Sequence, residues 1–127
     1  MPMQQPELHR SGAWNARLKR TRGLVGPQDL AAMKPTAYLI NTSRGPIVNE
    51  QALLAVLENR RIAGAALDVF DQEPLPPEHA LRGLKNVILT PHLGYVTQEN
   101  YRVYYGDAVE DVQGFLAGAP VRIITPL

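Results

Sequence analysis

Ala65-Ala66-Leu67-Asp68-Val69-Phe70 is a short apolar run interrupted by one carboxylate, and its reading decides the fold. Such a run reads as a strand inside a sheet, over residues 64–69, with Gly64, Ala65 and Ala66 small enough to let a helix sit close. Working outward, Ala37-Tyr38-Leu39-Ile40-Asn41-Thr42 lies before it and Val87-Ile88-Leu89 after it. Both are again brief apolar runs, and the first, over 37–42, has the pattern of a strand buried on both faces. Reactive side chains follow all three: Ser43-Arg44-Gly45, then Glu73-Pro74, then Thr90-Pro91-His92-Leu93-Gly94.

Helices are expected between these strands. Pro27 suits a first helical turn, and Pro35 pushes its predecessor out of the helical region, which gives a short helix over 27–33. Asn49 can cap a helix over 50–60 whose apolar face is Leu53, Leu54, Val56 and Leu57, with Arg60 and Arg61 at its C-terminal end. Pro74, Pro76 and Pro77 exclude regular pairing across Glu73–His79. Thr97 can cap a last helix carrying Tyr101, Tyr105, Ala108, Val112, Phe115 and Leu116, ended by Gly118 and Pro120.

Strands alternating with helices specify an α/β fold with a parallel sheet and right-handed crossovers. The carboxyl ends of such strands share one rim, where open sheets of this kind bind ligands. Arg44, Asp68, Glu73 and His92 are therefore expected to converge there.

Composition narrows the class. At 127 residues the chain is about one domain. Residues 1–20, with Pro2, Pro6 and Gly12 and no sustained period, are expected to be an irregular arm, and residues 21–127 the domain proper. Thirteen Lys and Arg against twelve Asp and Glu leave a net charge of +1, without bulk attraction for nucleic acid or anionic membrane. Bases cluster only at Arg10, Arg17, Lys19, Arg20 and Arg22, with Trp14 the one interleaved aromatic, so a nucleic-acid partner is not expected. Cysteine is absent, which excludes disulfides, thiolate metal sites and a cysteine nucleophile. Neither a signal-peptide apolar segment nor a run near the ~20 residues of a bilayer span is present, so the default expectation is a soluble cytoplasmic protein without a membrane partner.

The residues admit several chemistries. Arg44 is either a solvated surface arginine or a fixed guanidinium gripping a carboxylate through two parallel hydrogen bonds. Asp68 either binds a ligand amide or ribose, or caps the following turn. A carboxylate such as Glu73 beside an imidazole favours its charged form, and His92 can move a proton near neutral pH. His9 and His79 lack comparable settings. Metal binding is not expected, because no paired-ligand spacing occurs. Neither Ser11 nor Ser43 lies in Gly-x-Ser-x-Gly, and no Gly-x-Gly-x-x-Gly phosphate cradle is present.

Asn41-Thr42-Ser43-Arg44-Gly45, Asp68-Val69-Phe70-Asp71-Gln72-Glu73-Pro74-Leu75 and Thr90-Pro91-His92-Leu93-Gly94, in this order and with Met33-Lys34-Pro35 and Phe115-Leu116-Ala117-Gly118 around them, resemble the D-isomer-specific 2-hydroxyacid dehydrogenases over about residues 21–120. The resemblance is to the C-terminal part of that family's NAD-binding domain. It implies a partial Rossmann-like, doubly wound sheet and NAD(P)-dependent interconversion of a 2-oxo acid and a D-2-hydroxy acid. It also implies that Arg44 binds the substrate carboxylate, that His92 exchanges the proton and that Glu73 keeps His92 protonated. Asp68 would face the nicotinamide carboxamide, with Thr42, Ser43 and Gly94 lining the cofactor cleft beside Arg44 and His92.

Members of that family are more than twice this long and carry a glycine-rich turn, an acidic ribose-binding residue and a second domain ahead of the matching part. The first half of the doubly wound fold is thus expected to be missing, and the isolated chain to bind NAD weakly and turn over little. The strand over 37–42 becomes an edge, so homo-oligomers, dimers included, are expected through that edge or through apolar surface. The alternative is a non-catalytic binding or corepressor-like module on the same fold.

Overall fold

The computed structural model describes residues 20–124, which form two units, one up to His92 and one from Leu93. In the first unit three strands, β1 (Tyr38–Asn41), β2 (Gly64–Leu67) and β3 (Val87–Leu89), lie in the order β1-β2-β3. Both pairings are parallel. All three carboxyl ends therefore reach one rim, and the expected α/β parallel architecture is present as a partial Rossmann-like sheet with flanking helices.

Local chemistry sets the helices. Pro27 opens α1 (Pro27–Ala32), where the Asp29 carboxylate accepts the Gly26 amide at 2.8 Å. The Asn49 side chain caps α2 (Glu50–Glu58) by accepting the Ala52 amide at 2.9 Å. This helix stops two residues short of the expected end. Arg60 turns left-handed at φ 52°, while Arg61 N–H donates to Val56 O and Arg60 N–H to Leu57 O. These two bonds make a Schellman cap with arginine where glycine usually stands. Short 3₁₀ turns occupy Gly45–Ile47 and Ala80–Gly83.

Strand register decides which residues meet the core. Leu39, Ala65 and Val87 pair in register, as do Asn41, Leu67 and Leu89. This face packs on Leu30 of α1, on Leu53 and Leu57 of α2, and on Ile62, Phe70, Leu75 and Leu81. Each of the larger side chains contributes about 1.5–3 kcal/mol by leaving water. The opposite face carries Tyr38 and the in-register row Ile40, Ala66 and Ile88. Tyr38 and Ile40 are 71% exposed and Ile88 69%, and no described element of the first unit covers them. The expectation that β1 is buried on both faces is thus corrected for this unit: an unbroken apolar run records suitability for burial, not which face a neighbour supplies.

In the second unit Thr97 caps α3 (Gln98–Leu116) by accepting the Asn100 amide at 3.1 Å. Gly118, at φ 73°, ends it in a second Schellman cap, with Ala119 N–H on Gly114 O and Gly118 N–H on Phe115 O. A side chain at Gly114 would meet the Ala119 carbonyl at 2.9 Å. Tyr101 and Tyr105 meet edge to face with ring centres 5.5 Å apart. Arg122 reaches back to Asp107, Glu110 and Asp111, and these carboxylates raise its affinity for its proton. The irregular arm expected over residues 1–20 lies, apart from Arg20, outside the described residues.

Candidate active site

The turn after β1 is built by a buried amide. Asn41, 7% exposed, accepts the Ser43 amide at 3.1 Å and donates from Nδ2 to the Arg44 carbonyl at 3.0 Å. Both bonds hold Thr42, Ser43 and Arg44 in a fixed curve at the rim. The Arg44 guanidinium is exposed and donates to the Ser43 carbonyl at 2.7 Å. Gly45 lets this turn press on the end of the next segment. A Cβ there would lie 2.0 Å from the Phe70 carbonyl carbon and 2.5 Å from the Asp71 amide nitrogen, distances only a missing side chain permits.

Asp68 leaves β2 as a carboxylate only 5% exposed. Burial of such a group demands partners, and the Thr90 hydroxyl donates to its Oδ1 at 2.5 Å. The carboxylate thereby links the ends of β2 and β3.

Glu73 reaches back along its own turn. Its Oε1 accepts the Phe70 amide at 2.9 Å, and its Oε2 lies 2.7 Å from Nδ1 of His92. The Glu73–Pro74 peptide is cis. Partial burial alone pushes the Glu73 carboxyl up. The His92 imidazole, the Phe70 amide and the Arg44 guanidinium together outweigh that push, so the carboxyl sits below its ordinary value. An ionised carboxylate only accepts hydrogen bonds, so Nδ1 of His92 carries the proton in this pair. His92 holds a left-handed backbone, φ 58°, in a region that non-glycine residues occupy at a cost and that concentrates at working sites.

A recess of about 600 Å³ opens beside the pair, with Phe70, Leu75, Leu89 and Pro91 among its apolar lining and Arg82, Glu73 and His92 on its walls. The expected convergence of Arg44, Glu73 and His92 is therefore present within one unit, with Asp68 held by Thr90. Thr42 and Ser43 lie exposed on the same rim. Gly94 belongs to the second unit.

Three residues carry weight that their types alone did not announce. Asn41 and Thr90 sit inside the quoted motifs, and Asx-turn chemistry at a strand exit was the available signal for Asn41. His79, which showed no distinctive setting in sequence, accepts the Leu81 amide on Nδ1 at 3.3 Å, so Nε2 carries the proton that faces Glu50 Oε1 at 3.2 Å.

Residues 15–94 match the family described as D-isomer specific 2-hydroxyacid dehydrogenase, NAD binding domain. The chain belongs to this family. Glyoxylate/hydroxypyruvate reductase B of Enterobacter agglomerans is 47% identical over 100 residues, 79% of this chain and 31% of that protein. Among solved structures, a D-3-phosphoglycerate dehydrogenase from Ralstonia solanacearum, described as putative, superposes with a TM-score of 0.78 at 39% identity, over 84% of this chain and 32% of its own. An acyclic imino acid reductase in complex with NADPH and D-Arg superposes with a TM-score of 0.69 at 36% identity, over 84% and 34%. The dehydrogenase-family chain thus spans about a third of the length of the relatives it matches.

Proposed function

We propose that this chain carries the proton-transfer and carboxylate-binding machinery of an NAD(P)-dependent D-2-hydroxyacid dehydrogenase. The observation that carries the reading is the 2.7 Å contact of Glu73 with Nδ1 of His92, close to an exposed arginine at the mouth of a parallel sheet. When bound, the nicotinamide cofactor supplies or accepts the hydride. In reduction a cofactor seated there would supply hydride to the 2-oxo carbon, leaving the carbonyl π electrons on oxygen. That oxygen then takes the proton from Nε2 of His92, while Arg44 holds the substrate carboxylate and Glu73 stabilises the imidazolium. In oxidation Nε2 takes the proton back.

The residues present suit the nicotinamide end of such a cofactor. Asp68, largely buried beside the rim, provides acceptor oxygens for a carboxamide, and Thr42 and Ser43 complete the lining in this reading. For the pyrophosphate end the sequence offers no Gly-x-Gly-x-x-Gly. Weak cofactor affinity and little turnover are accordingly part of the proposal for the 127-residue chain. The cofactor-binding domain is read over residues 21–127, the compartment as the cytoplasm, and the assembly as a homo-oligomer formed through the β1 edge or the bare sheet face.

The test exchanges residues 15–94 into the Enterobacter agglomerans reductase in place of its matching segment. The hybrid should reduce glyoxylate or hydroxypyruvate with NADH or NADPH, and His92→Gln within it should lower kcat about 10²–10⁴-fold. A folded hybrid indifferent to that substitution would remove the reading. Titration of NADH fluorescence with the purified 127-residue chain should give at most millimolar affinity. Micromolar binding with saturable glyoxylate oxidation of NADH would overturn that part.

A second reading is favoured by the 36% identity to the imino acid reductase. The same Nε2 proton can go to nitrogen when an imine replaces the carbonyl. Assaying the hybrid with glyoxylate in the presence and absence of methylamine separates the two.

A further inference from the structure

The segment that delivers Glu73 holds itself only in part. Pro74, Pro76 and Pro77 have no N–H to offer, and within it the His79 amide donates to the Pro76 carbonyl at 3.2 Å. Arg82 supplies further donors. Its Nε donates to the Pro76 carbonyl at 2.8 Å and its Nη2 to the Leu75 carbonyl at 2.7 Å. The turn that bears Arg82 is itself anchored: Leu81 is 1% exposed in the core, and the His79 ring both accepts the Leu81 amide and contacts Glu50 at the start of α2.

On the other side of the segment, the Phe70 amide holds Glu73 Oε1. The acid is thus fixed from two sides, by a backbone amide before it and by a guanidinium fork after it. We infer that Arg82 is a positioning residue for the Glu73–His92 pair, hooking the carbonyls of Leu75 and Pro76 so that the carboxylate stays within reach of the imidazole. Its significance for proton transfer rests on the dehydrogenase reading; the mechanical link from Arg82 to Glu73 does not.

Arg82 touches neither Glu73 nor His92 in either of its two side-chain hydrogen bonds, so its effect on the pair passes through the loop. Among the described residues, His92 and Arg44 are the charged or titratable groups that act on the Glu73 carboxyl, and Arg82 lines the same recess. Its ionisation therefore reports whether it still sits against them. A role confined to general stability, with buried Leu75 doing the holding, would lower the melting temperature and leave that ionisation unmoved.

The experiment follows the ¹³Cδ signal of Glu73 against pH in the 127-residue chain, assigned by its loss in Glu73→Gln. Salt at about 1 M, where screening acts over about 3 Å, suppresses the direct effect of removing a distant charge. In the parent chain the carboxyl titrates below ordinary glutamate. Arg82→Ala should abolish at least half of that depression. Arg82→Lys, which keeps the charge and loses the two-pronged geometry, should fall between. A folded Arg82→Ala chain, verified by circular dichroism, that titrates like the parent overturns the inference. Where Arg82→Ala does not fold, Arg82→Lys decides: a raised midpoint supports the link and a parental one refutes it. Neither cofactor nor substrate enters this titration, so it can fail while the hybrid enzyme works, and the hybrid can fail while it succeeds.

Discussion

Glu73 and His92 are 19 positions apart in sequence, and their pairing makes the stability of the first unit depend on pH. The Glu73 carboxyl is lowered in the folded chain from an ordinary value of 4.5. A lowered folded value means that the contribution is fully present above the ordinary value and is lost as pH falls through the folded one. The side chains of both partners are 36% exposed, so solvent screening limits the contribution to about 1 kcal/mol or less. Melting curves of the parent and of Glu73→Gln should therefore differ by a few degrees near neutrality and converge on acidification below the ordinary carboxylate range. A gap that widens on acidification would contradict the assigned pairing. The types of these residues were legible in sequence, because strand exits in a parallel sheet share a rim. The support beneath them was not: that Asn41 bridges Ser43 and Arg44, or that Arg82 grips two carbonyls, depends on backbone directions that residue type does not encode.

At the level of elements, caps were the most legible feature and close approaches the least. Asn49 and Thr97 each cap an amide three residues on, so local chemistry reveals them. Gly45 carries no local sign of its place against the backbone of Phe70 and Asp71, far along the chain. Gly45→Ala forces that contact open. Overpacking of this kind costs about 1–3 kcal/mol, and more here because backbone, not a flexible side chain, must yield. In a unit of this size 1 kcal/mol corresponds to about 4–8 °C, so the variant should melt at least about 5 °C lower in calorimetry. An unchanged melting temperature would show that the turn shifts freely. The same substitution should also release Glu73 from Arg44, since Gly45 is what lets the two turns meet.

For the whole molecule, the row Ile40, Ala66 and Ile88 beside Tyr38 is the largest departure from the sequence reading. Parallel sheets ordinarily have both faces covered, and contiguous exposed apolar surface marks an interaction surface or an aggregation liability. Light scattering on the purified chain at micromolar concentration should show dimers or larger species, and the double change Ile40→Ser with Ile88→Ser should reduce them. A monodisperse parent monomer would refute self-association by this face and by the β1 edge alike. The order of elements, the parallel pairing and the direction of the strand exits all followed from alternating apolar runs and helix signals. The uncovered face did not, because a strand's composition is silent about its neighbours.

From Asn41 to His92, the strand exits, the acid and its imidazole partner, the arginine and the turn that braces them belong to the same unit. A proteolytic nick just past the histidine would therefore sever α3 yet spare every one of those contacts. These contacts thus lie within residues 20–92, roughly seventy residues that carry their own scaffolding.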